Sequence, residues 1–179
     1  MKKLFTLTVF AITLIFSGNI TAQEFSGLDK SPMVMASYPS SYRVSEKAVR
    51  IAYSRPQLKG RSLADLCPAG KVWRTGANEA PEITFYKDVT FGGEKVKAGT
   101  YSLFTIPGAS EWTVILNKNL NQWGAYSYDQ AADVVRVTAA SSMGGESLEA
   151  FSVAFKEVDI GVHMVMGWDK TRVAVPITM

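Results

Sequence analysis

From about Val34 to the C-terminus, apolar residues recur at every second position, and no stretch sustains a period of 3.6. A chain written this way pairs strands rather than packing helices, because successive side chains on a strand point to opposite faces. Val49, Ile51 and Tyr53 form one such set, and Ile83 and Phe85 form a second. Tyr101, Leu103 and Thr105 alternate with Phe104 and Ile106, and Trp112, Val114 and Leu116 continue the series. Val135 and Val137 follow, then Phe151, Val153 and Phe155, then Val162, Met164, Met166 and Trp168, and lastly Val173 and Val175. The pattern predicts roughly eight or nine short strands, and strands that neighbour one another in sequence favour antiparallel pairing. The expected fold is all-β, a single antiparallel β-sandwich.

The turn residues fit that reading. Gly92-Gly93 has the composition of a tight hairpin, Ala98-Gly99-Thr100-Tyr101 launches a strand and Pro107-Gly108 closes it. Met143-Gly144-Gly145 is expected to turn the chain again. The stretch 56–80 departs from the pattern as a long irregular loop, broken by Gly60, Pro68, Gly70 and Gly76, with a single helical turn expected at Ser62 to Leu66. Leu58, Leu63, Leu66, Val72 and Trp73 anchor it to a core.

At the N-terminus Lys2 and Lys3 precede an apolar run from Leu4 to Phe16 and a small, polar stretch ending near Ala22, the layout of a secretory signal peptide. The run is too short and too often interrupted for a transmembrane helix. The expected organisation is a signal peptide over 1–22, a lead-in over 23–33 and a β-sandwich domain over 34–179. The mature protein is expected in the periplasm or outside the cell, without a membrane anchor, since no cysteine near the cleavage site is present to carry a lipid. Cys67 is the only cysteine, so no internal disulfide forms and an apolar core must supply the stability.

The same counting excludes several chemistries. A Ser-His-Asp or Cys-His arrangement needs an imidazole, and the one histidine, His163, lies on a strand between Val162 and Met164. Zinc and copper sites draw on several His and Cys side chains, and no run of spaced acids suggests calcium, so no metal and no cofactor are expected. The formal net charge of +3 includes Lys2 and Lys3, so the mature chain is close to neutral and a poor fit to nucleic acid. Lys87, Lys95 and Lys97 read as solvated charges guarding a sheet edge.

What charge there is clusters. Arg55, Lys59, Arg61 and Arg74 crowd into one irregular stretch, and the segment Trp73 to Ala80 puts a guanidinium, the Asn78 carboxamide and the Glu79 carboxylate close together. Arg74 can take a carboxylate or phosphate with two hydrogen bonds, and Trp73, Trp123 and Tyr126 can offer flat apolar surfaces to a sugar or aromatic ring. The expected site is a cationic, aromatic-lined recess for a small anionic or glycan-derived ligand, built from Arg55, Lys59, Arg61, Trp73, Arg74, Asn78, Glu79, Trp123 and Tyr126. The competing account pairs Arg74 with Glu79 under the loop and puts Trp73 in the core. Two other functions stay open: a hydrolase or lyase using Glu79 with Asp65 or Glu82 as acid and base, and a non-catalytic structural or protein-interaction domain.

Tyr53-Ser54-Arg55-Pro56, Lys59-Gly60-Arg61 and Trp73-Arg74-Thr75-Gly76-Ala77-Asn78-Glu79-Ala80 resemble the signature of a secreted bacterial family known only as a domain of unknown function. Ala98-Gly99-Thr100-Tyr101, Glu111-Trp112-Thr113-Val114, Gln122-Trp123-Gly124-Ala125-Tyr126 and Asp133-Val134-Val135-Arg136-Val137 extend the resemblance over nearly the whole mature chain. It implies an envelope protein with a predominantly β domain and no established reaction. The chain departs from the family pattern at Leu63-Ala64-Asp65 and at Cys67-Pro68-Ala69-Gly70, where Val-Pro-Tyr-Gly is usual.

Overall fold

A computed structural model describes residues 24–179, so the proposed signal peptide lies outside the described residues. Nine strands follow one another: β1 (Met33–Tyr38), β2 (Val49–Ser54), β3 (Glu82–Phe85), β4 (Val89–Phe91), β5 (Glu94–Val96), β6 (Gly99–Ile106), β7 (Glu111–Asn117), β8 (Asp133–Glu157) and β9 (Val162–Thr178). One α-helical turn, α1 (Leu63–Leu66), is closed by a capping box between Ser62 and Asp65, and a 3-10 turn covers Gln130–Ala132. All pairings are antiparallel, in the order β1-β2-β3-β6-β7-β8-β9-β4-β5. The alternating sets read from sequence form β2, β3, β6 and β7 as expected, and Gly92-Gly93 turns β4 into β5 with φ of 58° and 96°.

The sandwich rests on β8. Its first part, to Ala140, pairs with β7, and from Ser141 onward it pairs with β9, so one strand belongs to both layers. Met143-Gly144-Gly145, expected to be a turn, runs inside this strand, and the two strands expected over 162–175 are one, β9. The reason lies in Arg172. Its guanidinium donates to the carbonyls of Asp169, Thr171 and Glu146, and a Cβ on Gly144 would sit 2.8 Å from it. The glycine makes room for an arginine that bridges two strands, and the register between β8 and β9 shifts there.

The inner faces of the two layers bury one continuous core, including Ile51, Ile83, Phe85, Phe91, Leu103, Met164, Met166 and Val175. Trp73 lies at its centre, stacked on Trp168 with centroids 5.7 Å apart and edge-on to Trp112 and Phe151. Cys67 is buried, and desolvation pushes its thiol up to about 12, as expected of a packed rather than a reactive cysteine.

Sharing β8 leaves the second part of that strand with an unpaired side, and the chain leaving β2 covers it. The Tyr53 hydroxyl accepts from Val153 N at 2.9 Å and donates to Val153 O at 3.3 Å. Arg55 donates from Nε to Phe151 O and from Nη2 to Ser152 Oγ, Phe151 N donates to Pro56 O, and Leu58 N donates to Glu149 O. The Tyr-Ser-Arg-Pro signature is therefore a clip across the seam of the sandwich. Tyr53→Phe orphans a buried N–H, and the expected loss is about 1–3 kcal/mol of unfolding free energy. Urea denaturation checks it, and an unchanged midpoint contradicts the clip.

Candidate functional site

The residues singled out by sequence separate into two groups. Arg55 is committed to the β8 seam, and Arg61 donates to the carbonyls of Leu58 and Gln57 beside it. The Lys59 backbone N binds Glu149 Oε1 at 2.7 Å. These cations share no partner with one another or with Arg74. Main-chain carbonyls and hydroxyls satisfy the two arginines, which explains how so many cations fit in one segment with few acids nearby. The Trp73 ring is core, not recess.

Asn78 and Glu79 do meet the loop of Trp123, and Tyr126 lies near enough to Arg74 to act on its charge. Trp73 N donates to Thr105 O at 2.7 Å and Thr105 N to Trp73 O at 2.9 Å, so this piece of the loop is an extra strand residue beside β6. Alternation then sends the Trp73 ring inward, while Val72 packs on the opposite, outer face over Phe104, Ile106 and Ile115. Arg74 shares that outer side. Ala80, Ala125 and Tyr128 complete a small second core there.

The backbone beyond Arg74 is bent tightly. Thr75, fully buried, has φ of 58°, a left-handed conformation that a β-branched residue adopts only when its surroundings impose it. Its hydroxyl meets Thr105 Oγ1 at 3.1 Å. Asn78 also lies at positive φ, 59°, and its carbonyl accepts from Gly124 N. Ala80 N donates to Gln122 O, and Glu79 faces Trp123 in an antiparallel bridge, which puts the carboxylate on the same side as the indole. Trp123 is 64% exposed and Tyr126 86%. A Cβ on Gly124 would sit 2.6 Å from the Tyr126 ring, so glycine lets that ring lie back across the main chain.

Residues 118–132, which display these aromatics, are firmly held. Asn117, almost completely buried, donates to Asp129 O and Asp133 Oδ1 and accepts from Asn119 N. Ser102 Oγ donates to Asn119 O, and Glu82 Oε1 accepts from Asn121 N. Tyr128 donates to Asp133 Oδ2 at 2.5 Å, and Arg136 binds both. None of Asn117, Tyr128, Asp133 and Arg136 was singled out as a site residue from sequence, although Asp133 and Arg136 lie in one of its quoted motifs.

Arg74 is the electrostatic anomaly. Its Nε is buried and has no hydrogen-bond partner, and the ion pairs among the described residues are Lys97–Asp88 and Arg136–Asp133, so Arg74 and Glu79 do not pair. Desolvation pushes the guanidinium below its ordinary pKa, partly offset by Tyr126 nearby. Asp65 caps α1 and Glu82 holds Asn121. No cluster of His, Cys, Asp or Glu among the described residues can hold a metal ion. A hollow of about 320 Å³ beside the β4–β5 hairpin has Lys95 and Lys97 in its wall, but Lys97 is already bound to Asp88 at 2.7 Å.

Fold and site together define a β-sandwich whose outer face presents a rigid aromatic loop beside a partly buried arginine. Over residues 31–177 the chain matches the family described as "Protein of unknown function (DUF2911)", and it belongs to that family. No curated protein and no solved structure matches it. No helix among the described residues is long and apolar enough to cross a membrane.

Burial, reinforced by the bond to Asp133, pushes the Tyr128 phenol from 10.0 up to about 12. A group with a raised folded pKa contributes stability that is whole below its unfolded value and is lost as pH rises through the folded one. The loop's contribution is therefore intact below pH 10 and disappears toward pH 12. Melting temperature measured across that range falls more steeply for the wild type than for Tyr128→Phe, and identical slopes contradict the assignment.

Proposed function

We propose that the protein is an exported binding module that takes an anionic, glycan-derived ligand on the outer face of its first layer, between Arg74 and the loop bearing Trp123 and Tyr126. The observation that carries this reading is the buried Arg74 Nε without a partner. Desolvating a guanidinium and leaving it unpaired costs free energy, and a ligand carboxylate, sulfate or phosphate would recover that cost through a charge-assisted bond. Trp123 supplies an exposed flat surface of the kind on which a pyranose ring stacks, and Glu79 on its flank can accept hydrogen bonds from sugar hydroxyls. The network around Asn117 and Asp133 holds the loop before any ligand arrives, which lowers the ordering cost of binding. Export rests on Lys2 and Lys3 followed by the run from Leu4 to Phe16.

Uronic-acid oligosaccharides and their neutral counterparts, titrated against tryptophan fluorescence, separate the two accounts of Arg74. The acidic series binds and the neutral series does not. Arg74→Met abolishes binding with an unchanged or raised melting temperature, because it removes a buried group that nothing in the protein satisfies. Trp123→Ala weakens binding by about tenfold or more. A melting temperature lowered by several degrees in Arg74→Met, with no acidic saccharide binding the wild type, makes Arg74 structural and ends the proposal.

A further inference from the structure

The two edges of the nine-stranded sheet are built differently. β5 is three residues long and carries Glu94 and Lys95, so a second β5 laid antiparallel on it would oppose lysine with lysine. β1, at the other end, reads Met-Val-Met-Ala-Ser-Tyr and has no charge. Arg55 N donates to Pro32 O, which sets the phase of the β1–β2 ladder. Val34 and Ala36 bond toward β2, and the main-chain groups of Met33, Met35 and Ser37 point away from it. No hydrogen bond to these groups is formed from the described residues outside the β1–β2 pair.

The side chains repeat the asymmetry. Val34, Ala36 and Tyr38 pack on the core, whereas Met33 and Met35 are 57% and 67% exposed on the outer face. The segment leading into β1 carries Phe25 and Leu28, at 88% and 104% exposure, which find no cover among the described residues. Four large apolar side chains within eleven consecutive residues, 25–35, are thus mostly exposed among the described residues.

We infer that residues 24–38 form an interface with a second copy of this chain, the arm 24–32 of each copy lying antiparallel along β1 of the other. Length fits: the arm spans about 30 Å when extended and β1 about 20 Å. β1 carries no charge to oppose Glu24, Asp29 or Lys30 of the arm. In this antiparallel arrangement Glu24 of one copy reaches the end of β1 in the other, near Arg43 and Lys47, and Lys47 is fixed there by its bonds to the carbonyls of Pro39 and Ser41. Pro32 costs nothing at the edge, since its missing N–H belongs on the β2 side. The contact is isologous and closes as a dimer, while the charged β5 edge blocks continuation into a fibre. This surface is independent of Arg74.

Sedimentation of protein purified from the host after expression of the full-length gene, across a wide range of concentration, tests the inference together with the double variant Met33→Lys/Met35→Lys. The wild type sediments as a dimer and the variant as a monomer with an unchanged circular dichroism spectrum, while Lys95→Ala remains a dimer. Hydrogen exchange at the amides of Met33, Met35 and Ser37 gives a second reading that needs no variant: it is slow in the wild type at high concentration and quickens on dilution. A wild type that stays monomeric at every concentration, a lysine variant that remains dimeric, fast exchange throughout, or occupation of this edge by a different protein overturns the assignment.

Discussion

Everything in this molecule follows from one strand being shared between two layers. β8 gives its first half to β7 and its second half to β9, which removes the need for a separate crossover but leaves main-chain groups of residues 149–153 facing no strand. Buried peptide groups must find partners, and segment 53–58 provides them with a hydroxyl, a guanidinium and its own carbonyls. That requirement drags the chain after β2 across the seam and commits it to a long excursion before it returns as β3. The stretch 56–80 is irregular because it is serving an edge of another layer.

The return path of that excursion makes the site. Pairing with Thr105 puts the Trp73 ring into the centre of the core, against Trp168, Trp112 and Phe151, and alternation leaves Arg74 on the outer side. The seating of Trp73 fixes the backbone from which Arg74 projects. The left-handed turns at Thr75 and Asn78 then bring the chain against residues 122–124. A guanidinium whose Nε is dry and unpaired is thus held in place by packing on the other face of the same backbone. Stability is spent there, and a fold that needed only a covered sheet could have used a methionine.

Much of this was legible in the residues. Strict alternation identified β2, β3, β6 and β7 and the all-β fold, since sheets with one buried face write their register into sequence. In sequence β8 divides into two short strands because Gly144 and Gly145 look like a turn, and only the side chain of Arg172 lying across Gly144 shows otherwise. The charge cluster was visible, but its division was not. Sequence gives no direction to a guanidinium, and Arg55 and Arg61 find carbonyls that any residue could have supplied. Asn78 and Glu79 meet Trp123 because two short motifs pair through main-chain bonds, a contact that spacing alone cannot reveal. β1 falls in the alternating stretch that begins near Val34 but yields no strand set of its own, because its methionines face outward and its pattern does not mark a single buried face.

Arg74 carries a hydrogen-bonding group that the described residues leave unsatisfied. Nitrogen-15 NMR of the arginine Nε–H groups reads this directly. A distinct Arg74 Nε–H resonance should show no through-bond coupling to a protein carbonyl and should shift when an acidic saccharide is added and not when a neutral one is. A coupling to a main-chain or carboxylate oxygen in the free protein, or a resonance indifferent to both sugars, would contradict the account.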